Sequence, residues 1–563
     1  MIQATRVVRS GSALPAILVV ALGASAGAAP ESPDASSGSE TGGELVDTAF
    51  GSGVPDAKTC AQGACDCIGA EERQLVASAL RAYELSFGSL SSADGLAGAE
   101  PLLYPFVPIA GNLDQDRFHS SFVDLLPGTG LFDFNCGGIT YDGHLGIDTM
   151  IRSWWFQSAG VPVFAVLDGT VVYAHDGEPD QNTCVCGAGL PGTQCPPGTL
   201  GNAVIIDHGQ GRLGYYWHLR NGSVSVSLGE VVKTGRQIGL VASSGCSTGP
   251  HLHFESQQSG AAFEPNAGLC RPGESGWVSQ EPLQLDLKKL AFGVHRSSLS
   301  GIFPPQEFPT SRQIALSDPL IYIWVNMGNL PAASTWQFQF VRPNGSVSFT
   351  SNVGSFANPF FRWVWSWWSW NVNDMHTIAG TWTVRLFVNG AIAFEEPVEV
   401  VAAINPAFNR APYAVTAALA PASPSVHDAI VCRISGHFPV VDPDFDLVTN
   451  RYRWRVNGVV VRDVTTGGRA DMLPAGAALA DQVVECEVTP SDGQLSATPA
   501  LASATVQCRV ESGDFNGDGH IDGDDLGSLL GEWGACPGCG ADLNCDGEVD
   551  GDDLGSLLGN WTG

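Results

Sequence analysis

The sequence predicts a mainly β, multidomain protein: an antiparallel β domain, two β-sandwich modules and a small α-helical tail with calcium-loop patterns. Three observations carry that expectation. Apolar runs of strand length, among them "PVFAVLDGTVVYA", "GNAVIIDHGQGRLGYYWHL" and "WTVRLFVNGAIAF", are punctuated by Asp-Gly, Gly-Gln-Gly and Asn-Gly turn signals. The C-terminal segment repeats itself: "GDFNGDGHIDGDDLGSLLGEWG" returns twenty-eight residues later as "ADLNCDGEVDGDDLGSLLGNWTG". The chain of 563 residues is long enough for about four domains.

Residues 1–29 carry Arg6 and Arg9, an apolar stretch from Ala13 to Leu22, and small residues in "ASAGAA". They read as a secretory signal peptide, too short to span a bilayer, and no other segment reaches transmembrane length. Residues 30–57, rich in Ser, Gly, Glu and Pro, read as a flexible leader. Residues 58–129 hold Cys60, Cys65 and Cys67 and then one helix, "AEERQLVASALRAYELSF"; the residues assign this part no function. Fifteen cysteines fit an oxidising compartment, and their odd number leaves at least one thiol free or paired between chains. A formal net charge of −31 speaks against nucleic acid and anionic membranes as partners, and suits calcium or cationic surfaces.

Residues 130–289 contain the densest chemistry. His144, Asp148, His218, His251 and His253 fall inside about a fifth of the chain, four of its twelve histidines among them. On a strand, His251 and His253 project from the same face. His144 and Asp148 are four apart, which would suit a helix, but Gly143 and Gly146 argue for a turn feeding a strand. Three such side chains can ligate one zinc and leave a position open for water, while the other two move protons. No Glu stands where a His-Glu-x-x-His protease carries its base. Residues 177–200 form a Gly/Pro-rich insertion with Cys184, Cys186 and Cys195, either a wall of the groove or a stapled surface loop. Cys246 is expected in a structural disulfide rather than as a reactive thiol.

The stretches "YDGHLGID", "VPVFAVLDGTVVYA", "GNAVIIDHGQGRLGYYWHL", "GEVVKTGRQIGLVASSG" and "STGPHLHFE" resemble the lysostaphin and LytM type of zinc endopeptidase, the beta-lytic metallopeptidase family. The resemblance implies an antiparallel β domain with one catalytic zinc in a groove. It implies His144, Asp148 and His253 as zinc ligands, and His218 and His251 as catalytic histidines.

Residues 290–402 alternate as a β-sandwich and hold Trp363, Trp365, Trp367, Trp368 and Trp370. In a regular strand the first three share one face and the last two the other, serving as core packing or as a carbohydrate-stacking platform. Residues 403–510 read as a second sandwich, with Cys432, Trp454 and Cys486 in the order of an immunoglobulin-like domain. The segment looks like the Ig- and cadherin-like modules of secreted bacterial proteins.

In residues 511–563 each repeat opens on a calcium-loop pattern. Asp514, Asn516, Asp518, Asp522 and Asp525 occupy its side-chain positions, with His520 contributing backbone. Asp542, Asn544, Asp546, Asp550 and Asp553 do so in the second copy, with Glu548 at the backbone position. Two structural Ca2+ ions are expected. The tandem repeat, with a helix after each loop, resembles a type I dockerin, which implies a cohesin-like partner. Cys536, Cys539 and Cys545 depart from that pattern.

The expectation is a secreted bacterial zinc endopeptidase, extracellular or at the cell surface, cutting the peptide cross-links of peptidoglycan and tethered by its tail. The alternatives are an extracellular protease on Gly-rich proteins, and a non-catalytic regulator or scaffold of a cell-wall hydrolase.

Overall fold

The structure is a computed structural model that describes residues 50–53, 68–92, 102–126, 130–180, 200–247, 249–299, 311–356, 360–508, 513–515, 520–536 and 539–562. The expected signal peptide, most of the leader, Cys60, Cys65, Cys67 and the loop with Cys184, Cys186 and Cys195 lie outside the described residues. The chain is mainly β, with several sheets and few helices.

The histidine-bearing unit is built on an eight-stranded sheet, beside which Pro162–Phe164 pairs with Gln237–Leu240. The strands of the larger sheet are β1 (Arg117–Ser121), β2 (Ile147–Ile151), β3 (Gly169–His175), β4 (Asn202–Asp207), β5 (Arg212–Leu219), β6 (Val231–Val232), β7 (His251–Gln258) and β8 (Ala261–Ala262). They run in the order β1-β2-β7-β5-β4-β3-β6, with β8 on β7, and every pairing is antiparallel. The sheet begins at Arg117, upstream of the expected boundary at residue 130. "RFHSS" carries no apolar alternation to announce an edge strand. It is buried because Arg117 pairs with Glu281 at 2.8 Å, which offsets the cost of taking a guanidinium out of water.

Alternation along these strands makes two faces. Ile147, Val171, Val204, Ile206, Tyr216, Leu252 and Phe254 point into the main core. Val172, Ala203, Ile205, Leu213, Tyr215 and Trp217 point the other way, against helix α1 (Ala70–Phe87). α1 has Glu71 and Glu72 in its first turn, where negative charge suits the helix dipole. It docks through Val76, Leu80 and Tyr83.

His208, in the β4–β5 turn, gives this unit an acid limit. Burial pushes its imidazole down to about 4, against the Asp168 carbonyl that Nδ1 donates to at 2.9 Å. A folded value below the unfolded ~6.5 means stability is complete above that pH and is lost as pH falls toward 4. The loss attributable to this one group is on the order of 2–3 kcal/mol. His208→Asn keeps a donor for Asp168 and should flatten this acid limb relative to wild type. Thermal unfolding of both proteins from pH 8 down to 4.5 checks it, and parallel curves would remove His208 from the account.

The tryptophan-rich strand Phe361–Trp370 pairs with Ile321–Leu330, which pairs with Lys288–His295. A second sheet including Thr335–Val341, Gly380–Val388 and Ala391–Val401 closes the module. The alternation is as expected. Trp363, Trp365 and Trp367 face Phe118, Met150 and Leu290, so they pack on the histidine-bearing unit. Trp368 and Trp370 enter the sandwich core beside Trp336 and Phe338. All five are 1–7% exposed, so no ring face is open for stacking and the carbohydrate platform is ruled out. Each indole buries roughly 150–250 Å², and at about 25 cal/mol per Å² that binds the two modules tightly.

Residues 415–505 form two further sheets, of three and four strands. Cys432 and Cys486 are disulfide-bonded beside fully buried Trp454, whose Nε1 donates to Asp471 at 2.8 Å. Every described cysteine is disulfide-bonded, Cys246 included. In the tail, helices Gly523–Gly531 and Gly551–Gly559 start on matching capping boxes at Asp522 and Asp550. Ile521, Leu529, Leu543, Val549 and Leu557 make its small core. Among the described residues no helix is long and apolar enough to cross a membrane.

Candidate metal centre

Register builds the site. β7 lies between β2 and β5, and His253 sits opposite Asp148 on one side and Trp217 on the other. His251, two residues earlier, shares its face. His144 lies in the turn before β2, where its N–H bonds Tyr141 O at 3.1 Å and Asp124 Oδ2 accepts Gly143 N at 3.1 Å. Gly146 follows because no side chain fits: a Cβ there would come within 2.7 Å of the His253 ring and 2.8 Å of Phe254 O.

His218 arrives differently. Simple alternation would send it into the core with Tyr216. Instead β5 bulges opposite β4, and His218 takes φ 63°, a left-handed conformation uncommon for histidine. Its ring lies 4.5 Å from that of His251, centroid to centroid. Local strain kept at such a point costs on the order of 1–3 kcal/mol and is typical of functional positions.

The structure therefore brings all five sequence-selected residues together, each at most 5% exposed. His144 Nε2 is 3.1 Å from Asp148 Oδ1 and 3.2 Å from His253 Nδ1, and His253 Nδ1 is 2.9 Å from Asp148 Oδ1. His144 Nδ1 donates to Phe122 O at 2.7 Å, so its Nε2 carries the lone pair. His253 turns its Nε2 toward the Glu255 carboxylate, 3.5 Å away, an ion-pair contact that favours the proton on Nε2 and the lone pair on Nδ1. Two imidazole lone pairs and a carboxylate oxygen thus converge without a proton between the nitrogens, an arrangement that repels itself unless a cation lies between. A tetrahedral zinc with bonds of about 2.0–2.1 Å holds its ligand atoms about 3.3 Å apart, so this donor set fits the ion.

The other two histidines are set up as proton acceptors. His218 Nδ1 donates to Ser244 O at 2.7 Å, and His251 Nδ1 to Gly249 O at 2.8 Å. Each Nε2 is buried and makes no hydrogen bond. Burial, with the neighbouring imidazoles of His251 and His253, holds His218 well below the ordinary histidine range. Burial also lowers His251, opposed by Asp148. Burial works to raise Asp148, but the surrounding imidazoles of His144, His251 and His253 hold it well below the carboxylate range.

Two site residues were missed from the sequence. Tyr141 stacks on His144 at 4.3 Å and its hydroxyl lies 3.4 Å from Asp148 Oδ2. Glu255 could have been found, since it continues the His251, His253 face by one more step of two.

In the tail, Asn516 and Asp518 lie outside the described residues. Asp525 accepts Phe515 N at 2.7 Å and Asp522 N at 2.9 Å. In the second loop Asp542 accepts Gly547 N at 2.8 Å, Asn544 accepts Asp546 N at 2.9 Å, and Asp546 accepts Glu548 N at 3.0 Å. Asp553 accepts Asn544 N at 3.1 Å and Asp550 N at 2.9 Å. The oxygens curl the loop around its own N–H groups. Two other gatherings of ligand atoms occur among the described residues. Glu532, Cys536 and Cys539 are closed by the Cys536–Cys539 disulfide. Asp444 and Asp446, next to Asp442, are engaged by Arg410 and Arg312.

Comparison with known proteins places this unit. Residues 143–265 match the profile of peptidase family M23. An uncharacterized metalloprotease of Haemophilus influenzae is 31% identical over 141 residues, 25% of this chain and 24% of that protein. The murein hydrolase activator EnvC of Escherichia coli is 33% identical over 114 residues, 20% of this chain and 22% of its own length. The chain thus spans about a quarter of these first relatives. Lipoprotein NlpD of Yersinia enterocolitica is 34% identical over 108 residues, 19% of this chain, and 89% of it is covered. A donor set fit for zinc, two acceptor histidines beside it and these matches agree that the chain belongs to peptidase family M23.

Proposed function

We propose that the protein is a secreted zinc endopeptidase that hydrolyses peptide cross-links of bacterial peptidoglycan outside the cell or at its surface. The observation that carries this reading is the convergence of His144 Nε2, Asp148 Oδ1 and His253 Nδ1 within 2.9–3.2 Å of one another, with two further imidazoles alongside. A zinc ion held by those three atoms would polarise a peptide carbonyl and make water acidic enough to lose a proton near neutral pH. The bare Nε2 atoms of His218 and His251 accept that proton, and return it to the departing amine nitrogen. Their backbone partners fix each tautomer and keep Nε2 aimed into the site.

Purified peptidoglycan incubated with the protein should release new amino termini at its cross-links, and chelation should stop it. Hydrolysis of an elastin-type substrate with peptidoglycan left intact would instead support a protease of Gly-rich proteins. The regulator reading has a named relative in its favour, since one match is a murein hydrolase activator. Against it, this chain keeps all five site positions, and a protein that only activates another has no use for them.

The same proposal extends to the other modules. Residues 403–510 would be an Ig- or cadherin-like spacer. Residues 511–563 would be a dockerin-like tail with two Ca2+ ions and a cohesin-like partner, supported by the matched capping boxes. With so small a core, the tail should depend on metal for stability. Limited proteolysis of the full-length protein should cut this tail readily in chelator and slowly in calcium. Asp514→Ala with Asp542→Ala should remove that difference while hydrolysis persists. Equal cleavage of the wild type in both conditions would end the calcium reading.

A further inference from the structure

Glu255 is fully buried on β7, and its Oε2 lies 3.5 Å from His253 Nε2, the ring nitrogen turned away from the metal centre. A carboxylate in that position needs an opposite charge. The charge comes from 182 residues away, on α1: Arg73 Nη2 donates to Oε2 at 3.0 Å and Nη1 to Oε1 at 3.4 Å. Gln257 Nε2 donates to Oε1 at 2.6 Å. The helix itself is pinned beside this contact. Buried Glu72 accepts Gly201 N at 2.7 Å and the Trp217 indole N–H at 3.1 Å. At the far end Ser91 N bonds Asp207 Oδ2 at 2.7 Å. Both Arg73 and the rest of α1 lie outside the segment matched to the peptidase family.

We propose that Arg73 and Glu255 are positioning residues for the metal centre: Arg73 holds the Glu255 carboxylate against His253 Nε2, which fixes the ring with Nδ1 facing His144 and Asp148. α1 is then part of the catalytic unit. The inference rests on the zinc reading above. A carboxylate on the outer nitrogen of a metal-ligating histidine sets its orientation and raises its basicity, and losing such a partner weakens metal affinity about 10–100-fold.

The test uses the full chain as Arg73→Ala, Arg73→Lys and Glu255→Gln, with Leu80→Ala as a control that loosens α1 elsewhere. Zinc affinity is measured by chelator competition, the visible absorption of the cobalt-substituted protein reports ligand geometry, and kcat and KM are taken on cross-linked peptide. Arg73→Ala and Glu255→Gln should bind zinc at least about tenfold more weakly, alter the cobalt spectrum and lower kcat more than KM. Arg73→Lys should recover part of the affinity, and Leu80→Ala should lower the melting temperature with zinc affinity unchanged. Arg73→Ala with wild-type zinc affinity and cobalt spectrum overturns the proposal, as does any rise in activity, which would make α1 a plug. Loss of affinity in Leu80→Ala equal to that in Arg73→Ala also overturns it, since the helix would then act only through general stability. Should the wild type itself take up no zinc, the zinc reading fails first, and the titration shows which of the two has fallen.

Discussion

His253→Ala should lose its zinc and its hydrolytic activity together. His253 supplies one of three converging donor atoms, with Nδ1 2.9 Å from Asp148 Oδ1 and 3.2 Å from His144 Nε2. It is also the donor held by two strands at once, through the β2 and β5 registers. With it gone, His144 and Asp148 remain 3.1 Å apart and can satisfy each other through a single proton, so the demand for a cation disappears. Turnover should fall on the order of 10³-fold or more, because the acidified water and the polarised carbonyl are lost in one step. The side chain is fully buried, so the variant also loses packing, and a far-UV circular dichroism spectrum matching wild type is needed beside the metal analysis. Zinc measured by elemental analysis should drop from about one per chain to near zero. Full zinc content in folded His253→Ala would show that the ligands lie elsewhere.

Much of this centre was legible in the sequence because its residues obey the period of the strand. His251 and His253 share a face by spacing alone, and Gly143 and Gly146 ruled out a helix for His144 and Asp148. The structure puts Asp148 on β2 and His144 in the turn before it. His218 shows where spacing stops. Its side chain reaches the site only through a bulge and a φ of 63°, and neither leaves a mark in a pattern of alternation. Arg73 shows a second limit: its contact with Glu255 spans 182 residues, and an arginine in the first half of an amphipathic helix looks like any solvated charge. The tryptophans show a third. The faces of Trp363, Trp365 and Trp367 followed from alternation, but their burial did not, because the neighbour covering them is another module. The edge strand at Arg117 was unreadable for the reason that its burial depends on a pairing with Glu281.

His218→Asn and His251→Ala should keep zinc near wild-type content yet lose turnover by about 10²–10⁴-fold, the usual worth of general acid–base assistance. Asn is the better replacement at 218 because it tolerates the left-handed backbone that Ala would strain. Neither imidazole is needed to complete the donor triangle: the His251 Nε2 atom is 3.7 Å from Asp148 Oδ1, and His218 touches the centre only ring to ring. Both present a bare acceptor nitrogen, and burial lowers both, His218 the further because the neighbouring imidazoles of His251 and His253 add to burial there whereas Asp148 opposes it at His251. A neutral acceptor takes a proton from water on the way to the transition state, and the pair 4.5 Å apart can share that proton with the departing amine. Since the two act on one proton transfer, the double variant should fall little below the worse single variant. KM should move less than kcat, because the loss is confined to the transition state. Single-turnover rates with metal content measured on the same samples decide the matter. Wild-type rates in both variants would remove the two histidines from the chemistry, and zinc loss matching that of His253→Ala would make them ligands.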